Sequence, residues 1–81
     1  MHLSNLIKRS FTLAGHRTSI ALEPEFWEAL VQLAQRRGQS LSALIAEVDA
    51  SRGPDSQLAS ALRVTALVTA NERNRADQPL R

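Results

Sequence analysis

The sequence predicts a mainly α-helical fold with a short N-terminal β-strand, completed as a homodimer by a second copy of the chain. Three observations predict it. Residues 17–22 alternate with period two, and residues 24–52 carry two amphipathic stripes at helical spacing, broken by a glycine turn. At 81 residues with no cysteine, the chain also lacks the means by which so small a core is stabilised alone. Disulfides and the usual zinc thiolates are excluded, and His2 and His16 have no carboxylate at ligand spacing. A partner chain remains as the source of buried surface.

In the segment Arg17-Thr18-Ser19-Ile20-Ala21-Leu22, Ile20 and Leu22 share a face with Thr18, while Arg17, Ser19 and Ala21 share the other. This reads as a half-buried strand. Upstream, Arg9 to Leu13 also reads as extended, with Phe11 and Leu13 on one face. Two alternatives stand for residues 1–16: an extra strand, joined by a hairpin loop at Ala14-Gly15-His16, or a flexible basic arm carrying Lys8 and Arg9. No internal repeat is read along the chain.

Pro24 opens the first helix, where its missing N–H costs nothing. Glu23, Glu25 and Glu28 crowd the positive end of the helix dipole, and Arg36 and Arg37 sit at the negative end. Gly38 follows as a left-handed cap, so this helix spans about residues 24–37. Its inward stripe is Phe26, Ala29, Leu30, Leu33 and Ala34; Trp27 and Val31 form a second pair, expected to pack on the third helix. Ser40 caps the second helix, residues 41–52, with Leu41, Leu44, Ile45 and Val48 inward and Gly53-Pro54 as its stop. A third helix, capped by Asp55 or Ser56, carries Leu58, Ala61, Leu62, Val64, Leu67 and Val68 and fades near Asn71. The domain boundaries are therefore 1–16, 17–53, 54–71 and a polar tail, 72–81, expected to be disordered.

One strand leaves both edges unpaired. Pairing residues 17–22 with the same segment of a second chain gives an antiparallel two-stranded ribbon, Ile20 and Leu22 against the helices and Arg17, Ser19 and Ala21 outward. Such a ribbon fits the major groove of B-DNA. The charge distribution agrees. Residues 1–22 hold Lys8, Arg9 and Arg17 with no acid, whereas residues 23–57 hold three arginines against six acids, so a polyanion meets the front of the chain.

The order strand, helix, Gly-Gln-Ser turn, helix resembles the ribbon-helix-helix repressors. Ala14-Gly15-His16-Arg17-Thr18-Ser19, then Glu25-Phe26-Trp27-Glu28-Ala29-Leu30, then Ser40-Leu41-Ser42-Ala43-Leu44 are similar to a group of short bacterial members, mostly without an assigned role. The resemblance covers roughly residues 8–70. It implies a sequence-specific DNA-binding protein, a transcriptional repressor whose outward strand residues contact base edges: Arg17, Ser19 and Ala21. Arg17 offers a fork to guanine and Ser19 a hydroxyl, while Ala21 stands where a polar or basic residue is commoner. It also implies a phosphate held at the start of the second helix by Gln39, Ser40, Leu41 and Ser42, with Lys8 and Arg9 as further phosphate contacts. His16 reads as a loop residue.

No nucleophile–histidine–carboxylate spacing and no glycine-rich phosphate loop are present, so no enzyme activity, cofactor or metal is expected. No apolar run approaches the ~20 residues of a membrane span, and the chain reads as soluble and cytoplasmic. The alternative function is a protein-interaction or antitoxin-like module, in which the third helix binds another protein. The expected partners are double-stranded DNA, a second copy, and a possible protein on the C-terminal helix.

Overall fold

The computed structural model describes residues 5–77. Two strands, β1 (Ile7–Leu13) and β2 (His16–Leu22), are followed by α1 (Pro24–Arg36), α2 (Leu41–Ser51) and α3 (Leu58–Asp77). The strands form an antiparallel hairpin with pairs from Ile7↔Leu22 to Leu13↔His16. Residues 7–13 are thus a strand, and it pairs with one edge of β2 within the same chain.

A two-residue turn explains why. Ala14 and Gly15 both have positive φ, 51° and 82°. Two left-handed residues in succession give the turn whose twist matches that of the flanking strands. Glycine adopts this region freely, whereas Ala14 carries a steric cost there. Closing so short a loop fixes few residues, so β1 reaches β2 at little entropic cost. His16 belongs to the strand opposite Leu13, and the loop is shorter by that residue than the sequence suggested.

The pleat sends Phe11, Leu13, Ile20 and Leu22 to one face, where all four are buried. All three helices pack on that side, α2 against β1 and α3 against β2. The core continues through Leu30, Leu33 and Ala34 of α1, Leu44, Ile45 and Val48 of α2, and Leu62 and Ala66 of α3. Each inward residue expected for α2 is there, with Leu41 half-buried, and Phe26 and Ala29 of α1 pack on the rim. Only half of the α3 stripe is used: Val64, Leu67 and Val68 are exposed.

Trp27 has a neighbour that the sequence did not indicate. It packs on β1, with its ring centroid 5.9 Å from that of Phe11 and its Nε1 donating to the carbonyl of Ile7 at 2.8 Å. A buried indole N–H needs an acceptor, and the open end of the hairpin supplies one.

The turn between α1 and α2 is a Schellman closure. The Gln39 N–H donates to Ala34 O at 3.0 Å and the Gly38 N–H to Gln35 O at 3.1 Å, with Gly38 at φ 67°. Ser40 then caps α2, its Oγ accepting from Ala43 N at 3.0 Å. Residues 53–56 form a turn in which Ser56 N donates to Gly53 O, so α3 starts at Leu58, later than a cap at Asp55 or Ser56 would place it. The helix also runs past Asn71 to Asp77, where a disordered tail was expected; residues 78–81 of that tail lie outside the described residues.

One ion pair ties the last helix to the first. Glu23 precedes α1, but its side chain makes no cap; it accepts from Arg63 Nε of α3 at 2.9 Å. The Arg63 guanidinium also lies over the Phe26 ring, 5.8 Å from its centroid.

Two expectations follow from these contacts. Ala14→Asn keeps the left-handed turn with a residue that tolerates it, and thermal melting is expected to rise by a few degrees, for roughly 0.5–1 kcal/mol gained; an unchanged or lower Tm would show that Ala14 carries no strain. The hydrogen bond from Arg63, aided by the local backbone, holds the Glu23 carboxyl below its ordinary pKa. Its contribution is therefore present above the ordinary carboxylate range and lost as the pH falls through the lowered folded value. The Tm difference between wild type and Glu23→Gln is expected to shrink on acidification, and a difference independent of pH would remove the role given to this pair.

Candidate nucleic-acid interface

The hairpin face turned away from the helices is built from three cross-strand pairs: Lys8↔Ala21, Ser10↔Ser19 and Thr12↔Arg17. All but Ala21 are exposed, and Ala21 is half-buried. The expected outward residues of β2 lie on this face, and β1 adds Lys8, Ser10 and Thr12 to it. Ser10 and Thr12 were not singled out from the sequence. Their signal was the register, which becomes readable only if Ala14-Gly15 is taken as the whole loop.

The face is internally organised. Ser10 Oγ and Ser19 Oγ are 3.1 Å apart, and Arg17 Nη1 donates to Thr12 Oγ1 at 3.0 Å. One donor of the guanidinium is thereby directed, and others remain for a ligand. Side chains across the centre are short, so another surface can approach the backbone closely. Cations stand at both ends, Lys8 on one strand and Arg17 on the other, and the face carries no acid.

Three arginines of the helical body are differently placed. Arg37 lies 3.6 Å from Glu47, Arg52 lies 2.9 Å from Asp49, and Arg63 holds Glu23. Lys8 and Arg17 have no acidic partner among the described residues. Exposed pairs of this kind add little stability, but they cancel charge locally around those three arginines.

Arg9 does not join that face. It has the inward parity of β1, opposite Ile20, and its guanidinium lies 5.4 Å from the centroid of the Trp27 ring. Lys8 and Arg9, paired as an arm in the sequence, therefore point to opposite sides of the sheet.

At the start of α2, Ser40 and Ser42 are exposed, and the side chain of Leu41 packs toward the core. Ser40 occupies the Ala43 N–H, and Leu44 N donates to Ser40 O, so the N–H groups of Leu41 and Ser42 are those left for an outside acceptor. Gln39 is half-buried, and its Oε1 is buried without a hydrogen-bond partner. Among the described residues no three His, Cys, Asp or Glu side chains converge as a metal site, and no helix is long and apolar enough to cross a membrane.

A family model described as a ribbon-helix-helix domain matches residues 6–70, from the start of the hairpin into α3. The chain belongs to the ribbon-helix-helix family. Among solved structures, it is similar to an uncharacterized protein from Bordetella pertussis Tohama I, with 31% identity and a TM-score of 0.79 over 94% of this chain. The match spans 64% of that protein's chain. No curated protein matches the sequence. Ribbon-helix-helix domains are typically DNA-binding and non-enzymatic, and they generally bind DNA as dimers.

Proposed function

We propose that this ribbon-helix-helix protein is a sequence-specific DNA-binding regulator, a transcriptional repressor acting as a homodimer, which presents the outward residues of β2 to base edges in the major groove. The observation that carries the reading is the outward face of the hairpin: polar, short-chained, free of acid and basic at both ends. A groove about 12 Å wide admits a two-stranded ribbon. Arg17 supplies a fork for guanine O6 and N7, Ser19 a hydroxyl, and Ala21 an apolar contact suited to a thymine methyl. The amides of Leu41 and Ser42 at the α2 N-terminus, beside Ser40 and Gln39, suit a backbone phosphate, which fixes register without reading sequence.

A second reading rests on α3. Val64, Leu67 and Val68 form an exposed apolar strip on α3, with Ser60 and Asn71 one turn to either side. At its upper end the strip runs into a cleft of about 320 Å³ between α2 and α3, lined by Val48, Arg52, Ser56 and Val64 among others. Such a surface suits a protein partner, whether a second copy or a different chain.

Three measurements test these readings. Arg17→Ala creates no cavity, so its melting temperature should hold, while affinity for a selected duplex falls by about 1–3 kcal/mol for each guanine that the missing fork would have read. Scrambled DNA should be affected much less, and equal weakening on both would reduce Arg17 to an electrostatic role. Binding is also expected to weaken with salt, with a log–log slope of about −4 to −7 for four to eight phosphates; a flat response would exclude duplex DNA as the ligand. Leu67→Glu together with Val68→Lys should lower the molar mass seen by light scattering or abolish capture of the partner, with Tm retained. An unchanged assembly would remove α3 as an interface.

A further inference from the structure

The hairpin uses one edge of each strand and leaves the other open. Ala14-Gly15 closes a two-residue turn, so Leu13 and His16 form a hydrogen-bonded pair, and such pairs recur at every second position, Phe11↔Thr18 and Arg9↔Ile20. The backbone N–H and C=O groups of Arg17, Ser19 and Ala21 therefore point to the open edge of β2, and those of Lys8, Ser10 and Thr12 to the open edge of β1. The two edges differ in what packs beneath them. α3, with Val64, Leu67 and Val68 exposed, packs on β2, whereas α2, with no large apolar side chain exposed, packs on β1. Leu6 and Ile7, the other large exposed apolar residues described, lie at the end of the hairpin away from its turn. A second copy joined at the β2 edge would thus meet apolar surface as well as unpaired backbone.

Such a dimer would have a four-stranded sheet, with the two β2 strands inside and the two β1 strands outside. Neighbouring strands lie about 4.8 Å apart, so the inner pair fits a groove about 12 Å wide, but the outer strands stand roughly 14 Å apart. With the strands running along the groove, the inner pair lies over base edges and the outer strands over the walls, where the phosphates are. The outward side chains of β1 suit that place. Lys8, Ser10 and Thr12 are all exposed, one a cation and two hydroxyls, and these are groups that contact phosphate oxygens.

Hydrogen bonds join the outer strand to the inner one. Arg17 Nη1 donates to Thr12 Oγ1 at 3.0 Å, which leaves the threonine's own hydrogen to donate onward. Ser10 Oγ and Ser19 Oγ are 3.1 Å apart, so one of their two hydroxyl hydrogens remains for an outside acceptor. A phosphate held by Thr12 is thereby linked to the guanidinium beside it.

We infer that β1 is a phosphate clamp: in the homodimer, Lys8, Ser10 and Thr12 of each outer strand grip the two DNA backbones that flank the groove. Thr12 is also a positioning residue for Arg17. The inference rests on the proposed reading of base edges by β2 and adds the contacts that fix the ribbon's register over them. It gives β1 a part in binding beyond covering the core, and it places Ser10 and Thr12, short as they are, against the nearest part of the ligand.

The test uses the full-length protein, which has no cysteine. Ser19→Cys and Ser10→Cys are each treated with a short thiol cross-linker in the absence of DNA. Ser19→Cys is expected to link into dimers, because both copies of residue 19 lie near the two-fold axis, and Ser10→Cys is not, with its two copies roughly 14 Å apart. Linking of Ser10→Cys, or no linking of Ser19→Cys, overturns the four-stranded arrangement. Selection from a random duplex pool and salt titration then compare wild type with Lys8→Ala, Ser10→Ala and Thr12→Val, with melting as the folding control. Lys8→Ala should return the wild-type motif while its log–log salt slope flattens by about 2, one phosphate for each chain. Ser10→Ala and Thr12→Val should each weaken selected and scrambled duplexes together, roughly 5-fold or more for a pair of hydrogen bonds. Thr12→Val should lose further on the selected duplex, as Arg17 loses its guide. A changed motif or an unchanged slope in Lys8→Ala, or full affinity of the two hydroxyl variants for scrambled DNA, overturns the clamp and leaves the reading of guanine by Arg17 standing. A wild-type protein that binds no duplex overturns both.

Discussion

The pairing of β1 with β2 organises this molecule. A pleated pair sends alternate side chains to opposite faces, so one register decides both what is buried and what is displayed. With Phe11 opposite Thr18, the apolar residues of both strands fall on the side of the helices, and Lys8, Ser10, Thr12, Arg17, Ser19 and Ala21 fall together on the other. A slip of one residue would bury the cations and expose Ile20 and Leu22. The same apolar packing that holds α2 on β1 and α3 on β2 therefore also holds the outward face in register, and the display surface needs no interactions of its own to stay in place.

Much of this was legible in the sequence where a single physical rule operates over a short range. The period of residues 17–22 assigned both faces of β2 correctly, Pro24 and Gly38 bracketed α1 to within a residue, and Ser40 marked the start of α2. The features that escaped depend on two rules competing or on distant partners. Lys8 and Arg9 look like a basic arm by charge, yet Phe11 and Leu13 draw their segment into the sheet, and the alternation then separates the two cations. Trp27 falls on the helical face that α3 was expected to cover, but its N–H finds an acceptor in the carbonyl of Ile7, twenty residues away in sequence. Asn71 and the charges after it dilute the apolar pattern of α3 without breaking its backbone, so the helix runs on to Asp77.

Charge in this chain is sorted more than it is accumulated. A net charge of +2 is modest. Arg37, Arg52 and Arg63 of the helical body are set against Glu47, Asp49 and Glu23, whereas Lys8 and Arg17, the outward cations of the hairpin, have no acidic partner among the described residues. Under the proposed reading, an approaching duplex would meet a hairpin face that is positive and free of acid, which favours that face over general adhesion.

The placement of Trp27 has a practical consequence. It is the only tryptophan, and with no tyrosine in the chain it dominates the near-ultraviolet absorption and emission. Its indole is buried, hydrogen-bonded to the first residue of β1, packed near Phe11 and covered by the Arg9 guanidinium. Detachment of the first strand would hydrate the ring and shift its emission to longer wavelength, while the far-ultraviolet signal of the three helices could stay intact. The chain thus carries a built-in fluorophore at the seam between sheet and helices, through which opening of the hairpin can be timed separately from melting of the helical body.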